Sequence, residues 1–414
     1  MNRRRVVITG LGCVTALAES ADELFSALCR AESGISRIQS FDTKKFPVNF
    51  GGEIKRFDAT KYIASRDAKR MDRFTQLATA SAIQAVGDSG IDFEAENKHR
   101  VGVLVGTGIG GIKEIEDQHK RIIRKGPRKV SPFCVPRLMG NAASGCISIL
   151  YGLKGPNMCI VTACASASHS IGEAFYSILA DRCDIMITGG AEAALTPIGL
   201  ASFCALKSLS TRNDAPEIAS RPFDKDRDGF VLSEGGGIII LEEYEHAIKR
   251  GARIYCELLG YGANADGYHI TAPDPEGRGA ADAMRIAIKG ARVEPEKIDY
   301  INAHGTSTEL NDIAESLAIK SVFGDHAYKL AVSSTKGSLG HLLGASGAVE
   351  VIVMAKVIEK SAIPPTANLE NTDKRCDLKM DYVPLIARQA NVDYALSNSL
   401  GFGGHNCCLI VGKV

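Results

Sequence analysis

Residues 158–170 read Met158-Cys159-Ile160-Val161-Thr162-Ala163-Cys164-Ala165-Ser166-Ala167-Ser168-His169-Ser170, an apolar run that passes directly into small residues. The apolar part predicts a buried strand, and the small residues after it can begin a helix. At such a junction the sulfur of Cys164 lies near a helix N-terminus, where partial positive charge favours the thiolate and free N–H groups can bind an oxyanion. The alternative is an unreactive core thiol, because most free cysteines are small buried hydrophobic residues and the chain has twelve.

Strand-like and helix-like runs alternate along the rest of the chain. Such alternation predicts an α/β fold with mostly parallel sheets. The pattern restarts after Gly251, which suggests two similar halves, although no strong identity between them is visible. We predict strands at 5–9, 101–105, 158–163, 184–188, 236–241, 254–262, 298–303, 330–334, 394–398 and 406–411, and helices at 21–30, 75–89, 165–180, 279–289, 312–322 and 345–360.

Two histidines and a glycine-rich loop follow three other predicted strands. His304 follows the strand at 298–303, His341 follows the strand at 330–334, and the loop Gly401-Phe402-Gly403-Gly404 follows the strand at 394–398. Any one of these could be an ordinary turn. Because ligands of open α/β sheets bind at the carboxyl ends of strands, the four strand ends together predict one site.

Four motifs resemble those of one enzyme family, in that family's order and spacing. They are Thr162-Ala163-Cys164-Ala165-Ser166, Asn302-Ala303-His304-Gly305-Thr306-Ser307-Thr308, Ser334-Thr335-Lys336-Gly337-Ser338-Leu339-Gly340-His341 and Asn398-Ser399-Leu400-Gly401-Phe402-Gly403-Gly404. From Arg4 to about Val411 the chain resembles an elongating, type II-like β-ketoacyl-[acyl carrier protein] synthase. The resemblance implies a thiolase-like five-layer α-β-α-β-α fold built from two similar halves, and a homodimer. It places the nucleophilic cysteine in a half at 1–250 and both histidines in a half at 251–414.

The reaction that the resemblance implies is a decarboxylative Claisen condensation. Cys164 would hold the acyl group as a thioester, and malonyl-[acyl carrier protein] would lose carbon dioxide and attack it. Because the enolate carries charge on its thioester oxygen, two neutral imidazoles that each present an N–H, His304 and His341, suit its stabilisation. The resemblance places the oxyanion hole of the acyl thioester at the backbone N–H groups of Cys164 and Phe402. The product is a 3-oxoacyl-[acyl carrier protein] two carbons longer.

Two charged residues match a supporting pair of the family, Lys336 and Glu350. Alternatively, Lys336 could cap a turn and Glu350 could lie on a solvated helix face. Residues 342–358 are otherwise mostly apolar, so a lone carboxylate there needs a partner. We expect Asp312 to organise its loop rather than to touch the substrate.

The resemblance also assigns residues to the substrate. Thr306 and Thr308 match the pair that hydrogen-bonds the phosphopantetheine arm, although threonines there could simply form a turn. Ile109 matches the gate of the acyl pocket in the type II-like enzymes. In the poorly patterned segment 202–232, Phe203 and Phe230 are apolar candidates for the wall of the acyl tunnel.

Two positions near the last motif depart from the family. Leu400 stands where many relatives have phenylalanine, and His405 stands where threonine is common. Both changes leave the cysteine and the two active-site histidines intact. We expect His405 to be a structural hydrogen-bonding variant, although a third imidazole near the site could alter the pH dependence, since histidine titrates near neutrality.

Composition and spacing exclude several other classes of protein. Gly106-Thr107-Gly108-Ile109-Gly110-Gly111 satisfies GxGxxG, but residues 130–133 provide no acidic group for a dinucleotide ribose. Cys159, Cys164 and His169 are evenly spaced, yet no CxxC or HExxH motif accompanies them, so we expect no metal. The condensation needs no redox cofactor. A net charge of +1 gives no indication of nucleic-acid binding.

The N-terminus imitates a signal peptide, because basic residues at 3–5 precede an apolar run. Gly10 and Gly12 interrupt that run, so we predict a first strand instead. No run reaches the roughly 18–20 apolar residues of a membrane span. Cysteines without framework spacing argue for a reducing compartment. We therefore expect a cytoplasmic protein without membrane insertion.

A basic run predicts the partner. Such a run is about as often a solvated face as a binding surface. Acyl carrier proteins are strongly acidic, however, and a basic rim beside the tunnel would steer one in. The expected partners are therefore acyl-[acyl carrier protein] and malonyl-[acyl carrier protein]. Between 120 and 129 the chain has six basic residues and no acidic one: Lys120, Arg121, Arg124, Lys125, Arg128 and Lys129.

Three rival functions remain at this point. A thiolase would share the fold but use a second, late cysteine as a base, for which Cys407 and Cys408 are the candidates. A polyketide synthase subunit would share every motif. A noncatalytic chain-length partner would bind acyl chains, but such subunits usually lack the nucleophile that Cys164 provides.

Overall fold

The fold is built on a ten-stranded sheet. The computed structural model describes residues 4–414, so the start of the signal-like stretch, Met1–Arg3, lies outside the described residues. Every residue of the strands Val6–Thr15 and Gly235–Glu243 is buried, as expected of strands that are covered on both faces. In chain order the strands are β1 (Val6–Thr15), β2 (Val101–Gly106), β3 (Asn157–Met158), β4 (Ile185–Glu192), β5 (Gly235–Glu243), β6 (Cys256–Ala265), β7 (Tyr300–Asn302), β8 (Ala331–Ser333), β9 (Tyr394–Gly401) and β10 (His405–Gly412).

The two halves of the sheet repeat one strand order. The first five strands lie in the order β1-β5-β4-β2-β3, and the last five in the order β6-β10-β9-β7-β8. In each half the first three strands of that order pair antiparallel and the others pair parallel. The halves meet where β1 pairs with β6, at Val7–Glu257 and Ile8–Cys256. The fold therefore consists of two similar halves, while the exact boundary near residue 250 stays a prediction.

Helices cover the outer faces of both halves and fill the space between them. The longer ones are α1 (Ala21–Cys29), α2 (Arg73–Ser89), α3 (Ile112–Lys125), α4 (Ala142–Tyr151), α5 (Ser166–Leu179), α6 (Pro197–Ala205), α7 (Arg278–Ala291), α8 (Glu309–Phe323) and α9 (Ser346–Lys360). Shorter helices are Ser65–Ala68, Cys134–Leu138, Tyr244–Lys249 and Lys336–Leu339, and two small strand pairs join Ser36–Arg37 to Phe50–Gly51 and Ala362–Ile363 to Arg388–Gln389.

The layers follow from which helix packs on which strands. Helix α2 packs on β1 and β5, and α7 packs on β6 and β10. Helices α5 and α9 contact each other and pack against strands of both halves. Residues 346–358 of α9 are buried on every side, as expected of a central helix with no solvated face. The result is the expected five-layer α-β-α-β-α arrangement.

Two details of the predicted secondary structure are wrong. The strand predicted at 158–163 is reduced to Asn157–Met158, and Met158 and Val161 are 46% and 59% exposed rather than buried. The reason is that β3 is the last strand of the sheet and pairs only with β2. The sheet is also mixed rather than mostly parallel, because β9 and β10 form a hairpin and β1 and β6 run antiparallel to their neighbours. Within residues 4–414, no helix is long and apolar enough to cross a membrane.

Candidate active site

One cavity of about 560 Å³ collects most of the predicted site residues. The nucleophile junction, both histidine loops and the final glycine-rich loop all border it, as the argument from strand ends predicts. The predicted residues that line it are Cys164, His304, His341, Phe402, Ile109, Phe203, Thr306 and Thr308.

Cys164 lies in the 3-10 turn Ala163–Ala165, directly before α5. Burial raises the pKa of its thiol to about 12, although the backbone N–H of Phe402 and the charge of Lys336 oppose the shift. Desolvation of the enclosed sulfur therefore works against the thiolate that the helix N-terminus is expected to favour. The N–H groups of Phe402 and of Cys164 itself do face the sulfur, where the oxyanion hole is expected.

His341 is held in one tautomer. The backbone N–H of Leu343 donates to its Nδ1 over 3.3 Å, and the hydroxyl of Ser346 lies 3.0 Å from the same nitrogen. Because Nδ1 accepts, the ring proton lies on Nε2. Burial and the positive charge of Lys336 lower the pKa of His341 well below 6.5. His341 is therefore a neutral imidazole with an Nε2–H donor.

His304 is the second neutral imidazole. Its ring centroid lies 5.3 Å from that of His341, with the ring planes at 85°. The backbone N–H groups of His304 and Gly305 each donate to the carboxylate of Glu315 over 2.8 Å, which fixes the loop at the strand end. Burial, together with the nearby Lys336 and His341, lowers the pKa of His304 well below 6.5.

Lys336 and Glu350 form a hydrogen-bonded ion pair whose two side chains are each only 2% exposed. Burial raises the pKa of Glu350, and the charge of Lys336 opposes this. The turn-cap and solvated-face alternatives fail, because both groups are enclosed. Within the described chain, the pair stands outside the lining of the cavity, but the charge of Lys336 lowers the pKa of both active-site histidines.

Aromatic rings and two hydroxyls form further parts of the cavity wall. Phe203 packs edge-on against Phe230 at 5.5 Å between centroids, and Phe230 packs in the same way against His341 at 5.4 Å. The apolar side of the cavity is thus continuous with the histidine site. The hydroxyls of Thr306 and Thr308 lie 2.9 Å apart, at hydrogen-bonding distance.

Sequence reasoning missed several buried charged groups around this cavity. Arg227 donates from Nε and Nη2 to the backbone carbonyls of Thr308 and Glu309, each over 3.1 Å. Asp312, by contrast, is a predicted residue, and it organises its loop as expected by accepting from the backbone N–H of Phe223 over 2.9 Å. The sequence motifs do not include the carboxylates of Glu192 and Glu315 either. A lone carboxylate in an apolar strand or helix needs a partner, and that signal could have found both.

The late cysteines do not resemble a thiolase base. Cys407 and Cys408 are buried in β10, and burial raises the pKa of each well above 9. Neither is among the residues that line the cavity in the described chain. Of the two departures, Leu400 lines the cavity, whereas the ring of His405 lies edge-on to that of His169 at 6.5 Å.

Comparison with known proteins gives concordant matches. A family model described as beta-ketoacyl synthase, N-terminal domain, matches residues 3–247, and one described as beta-ketoacyl synthase, C-terminal domain, matches residues 255–370. The 3-oxoacyl-[acyl-carrier-protein] synthase 2 of Synechocystis sp. is 50% identical over 413 residues, covering 100% of this chain and 99% of the relative. The protein of the same name from Coxiella burnetii is 49% identical over 414 residues, covering 100% of both chains. A solved type II PKS ketosynthase, in complex with its acyl-carrier protein, superimposes with a TM-score of 0.93 at 33% identity over 100% of both chains.

Proposed function

This chain belongs to the β-ketoacyl synthase family, and we propose that Cys164, His304 and His341 carry out that family's reaction in the cavity described above. The reaction is the condensation of an acyl-enzyme with malonyl-[acyl carrier protein] in fatty acid elongation. The observation that carries the assignment of roles is that one thiol and two neutral imidazoles border the same cavity.

In the first half-reaction, the sulfur of Cys164 attacks the thioester of an acyl-[acyl carrier protein]. The negative charge that develops on the thioester oxygen is stabilised by the backbone N–H groups of Cys164 and Phe402, which face the sulfur. Because burial raises the pKa of the Cys164 thiol, its proton leaves as the sulfur attacks. The bond from the acyl carbon to the sulfur of the carrier's arm then breaks, and the departing thiolate takes up a proton to leave as a free thiol. The acyl chain then extends along the apolar wall at Phe203 and Ile109.

In the second half-reaction, a malonyl group enters on its own carrier. Thr306 and Thr308 bind its phosphopantetheine arm, and the Nε2–H of His341 and an N–H of His304 donate to the thioester oxygen. Loss of carbon dioxide leaves an enolate with its charge on that oxygen, and neutral N–H donors stabilise this charge without transferring a proton to the enolate. The enolate carbon attacks the acyl group on Cys164, and the product leaves as a 3-oxoacyl-[acyl carrier protein].

Burial keeps both histidines neutral, and the charge of Lys336 in the buried pair with Glu350 adds to this effect. A positive charge next to an imidazole disfavours its protonation, and Lys336 lowers the pKa of both rings. The carboxylate of Glu350 compensates the buried ammonium, which would otherwise be strongly destabilising.

The basic run at 120–129 is the proposed docking surface for the acyl carrier protein. All six of its basic residues are exposed, and Lys207 adds an exposed positive charge at the lining of the cavity. A ketosynthase of this family is known in complex with its acyl-carrier protein. Electrostatic steering of an acidic carrier to this side would fall steeply with salt.

A homodimer and a cytoplasmic location complete the proposal. The edge strand β3 leaves backbone groups without a neighbouring strand, and Ile149, Leu150, Met158 and Val161 next to it are 82%, 49%, 46% and 59% exposed. Unpaired edges and exposed apolar residues of this kind mark interfaces, and a second copy would cover both. All twelve cysteines are free, as in a reducing compartment.

Intact-protein mass spectrometry tests the proposed function. Wild type is mixed with a medium-chain acyl-[acyl carrier protein], and malonyl-[acyl carrier protein] is then added. We expect a mass increase of one acyl group, which disappears on addition of the malonyl carrier as a 3-oxoacyl carrier forms. Acylation without malonyl-dependent discharge would indicate an acyltransferase-like role, and no acylation by any acyl carrier would refute the proposal.

A further inference from the structure

Glu192, the last residue of β4, is a fully buried carboxylate beside the cavity. Burial raises its pKa to about 7. Within residues 4–414, no lysine, arginine or histidine forms an ion pair with it, so hydrogen bonds compensate its charge. A carboxylate held in this way normally has a specific structural or functional reason.

Four donors converge on this carboxylate. The hydroxyl of Thr107 and the backbone N–H of Ile109 donate to Oε1, over 3.0 and 3.3 Å. The backbone N–H groups of Gly108 and Gly344 donate to Oε2, over 2.6 and 3.2 Å. A carboxylate has about four lone-pair directions, so all of its acceptor capacity is used.

These four bonds join two loops that carry different parts of the site. Thr107, Gly108 and Ile109 belong to the loop that presents the acyl gate. Gly344 belongs to the turn whose Leu343 N–H orients the ring of His341. A single carboxylate therefore sets the position of the gate relative to the catalytic groups.

The glycines of the two loops fit the same interpretation. A Cβ at Gly108 would lie 2.7 Å from Oε2 of Glu192, and one at Gly344 would lie 2.8 Å from the same oxygen. A Cβ at Gly344 would also lie 2.2 Å from the backbone nitrogen of Gly108. At Gly108 and Gly344 the backbone N–H can therefore approach the carboxylate closely, and any side chain there would prevent this approach.

We propose that Glu192 is a positioning residue that fixes Ile109 at the cavity and thereby sets which acyl chain lengths reach Cys164. The inference rests on the proposed function, because it concerns the acyl chain that this cavity receives. With the gate loop held to Glu192 by three hydrogen bonds, and Glu192 held to the glycine turn by a fourth, Ile109 narrows the cavity. When the loop is released, Ile109 can move aside. The rate at which longer acyl chains acylate Cys164 then rises relative to the rate for shorter chains.

The test compares chain-length selectivity in three variants. Glu192→Gln keeps the shape of the side chain but replaces one accepting oxygen by an NH₂ group, which faces N–H donors and cannot accept from them. Thr107→Val removes one of the four donors with little change in volume. Glu242→Gln is the matched control, because that carboxylate is also fully buried but binds Arg250 and Thr9.

Acylation of Cys164 is followed by intact mass with carrier proteins that bear C6, C10 and C16 chains. Acylation of wild type by at least one chain tests the proposed function separately, and its absence would refute that function rather than the role of Glu192. We expect Glu192→Gln to raise the C16-to-C6 rate ratio at least tenfold, Thr107→Val to raise it less, and Glu242→Gln to leave it unchanged even if the melting temperature falls.

A folded Glu192→Gln protein with the wild-type ratio would overturn the proposal, as would an equal change of the ratio in Glu242→Gln. If Glu192→Gln does not fold, Thr107→Val decides: an unchanged ratio overturns the proposal, and a ratio shifted toward C16 supports it. A general loss of stability lowers all three rates together and leaves the ratio constant, so the ratio separates positioning from folding.

Discussion

Two turns at the centre of the molecule share one backbone conformation but differ in what they carry. The nucleophile turn, Ala163–Ala165, precedes α5, and the glycine turn, Leu343–Ala345, precedes α9. The first residue of each turn lies in the left-handed region, with φ of 50° and 48°, although neither is glycine. The middle residue is Cys164 in one turn and Gly344 in the other. The duplicated fold thus provides the same element twice, and only one copy carries a nucleophile.

The difference shows that the two turns divide the chemistry between them. The nucleophile turn directs the side chain of Cys164 into the cavity, where backbone N–H groups face its sulfur. The glycine turn has no space for a side chain and uses its N–H groups instead, one for Glu192 and one for Nδ1 of His341. Left-handed residues that are not glycine cost about 1–3 kcal/mol each and cluster at functional sites. Both turns are consistent with that pattern.

The largest expected effects on rate come from removing the side chain that the nucleophile turn carries, Cys164, and the one that the glycine turn orients, His341. Cys164→Ala should abolish acyl transfer, with a loss on the order of 10⁴-fold or more, because no nucleophile remains. His341→Ala should retain acylation but slow malonyl-dependent discharge by about 10²–10³-fold, because one enolate donor is lost. Intact mass measures both steps in one time course. If His341→Ala lost acylation and discharge equally, the division between the turns would be wrong.

A methyl group in the glycine turn should destabilise the protein. Gly344→Ala would place a Cβ 2.2 Å from the backbone nitrogen of Gly108, and such overpacking costs about 1–3 kcal/mol. Gly87→Ala is the control, because it lies exposed in α2 with nothing within 4 Å of its Cβ position. It should stabilise the protein by about 0.5–1 kcal/mol. Urea unfolding measures both changes, and a Gly344→Ala protein as stable as wild type would show that the glycine turn can accommodate a side chain.

The sequence predicts which reactive residues the two turns position, but it does not predict how buried those residues are or what contacts them from distant parts of the chain. Cys164 and His341 are found from strand ends and motifs, because those patterns are local. The edge position of residues 158–163 could not be found, since an apolar run looks the same in a central strand and at an exposed edge. The raised pKa of Cys164 has no local signal either, because it depends on burial by loops far away in sequence. The position of Glu192 depends on four hydrogen-bond donors from two loops that are far apart in sequence, so no local pattern predicts it.

The two half-reactions should also differ in their dependence on pH. Because burial raises the pKa of Cys164 to about 12, its thiolate fraction increases with pH throughout pH 7–9. Acylation at limiting acyl carrier should therefore rise by up to about tenfold per pH unit. The pKa values of His304 and His341 are lowered well below 6.5, so both rings stay neutral over this range and discharge should change by less than about twofold. Rapid-quench measurement of each step at pH 7, 8 and 9 checks this, and a discharge rate that rises in parallel with acylation would contradict it.

The smallest expected effect comes from the first serine of each helix that follows a turn. The Ser166 hydroxyl accepts from the N–H of Thr162 over 2.9 Å and donates to the carbonyl of Ala163 over 2.7 Å, so it fixes the nucleophile turn. The Ser346 hydroxyl lies 3.0 Å from Nδ1 of His341. Each neutral hydrogen bond that is lost costs about 1 kcal/mol, or about fivefold in a rate, and Ser166→Ala loses two. Ser166→Ala should therefore slow acylation alone, and Ser346→Ala should slow discharge alone, because the imidazole would keep only the N–H of Leu343 to hold its tautomer. If both substitutions slowed the same step, the two turns would not divide acylation and discharge between them. Their similarity would then be one of backbone conformation only.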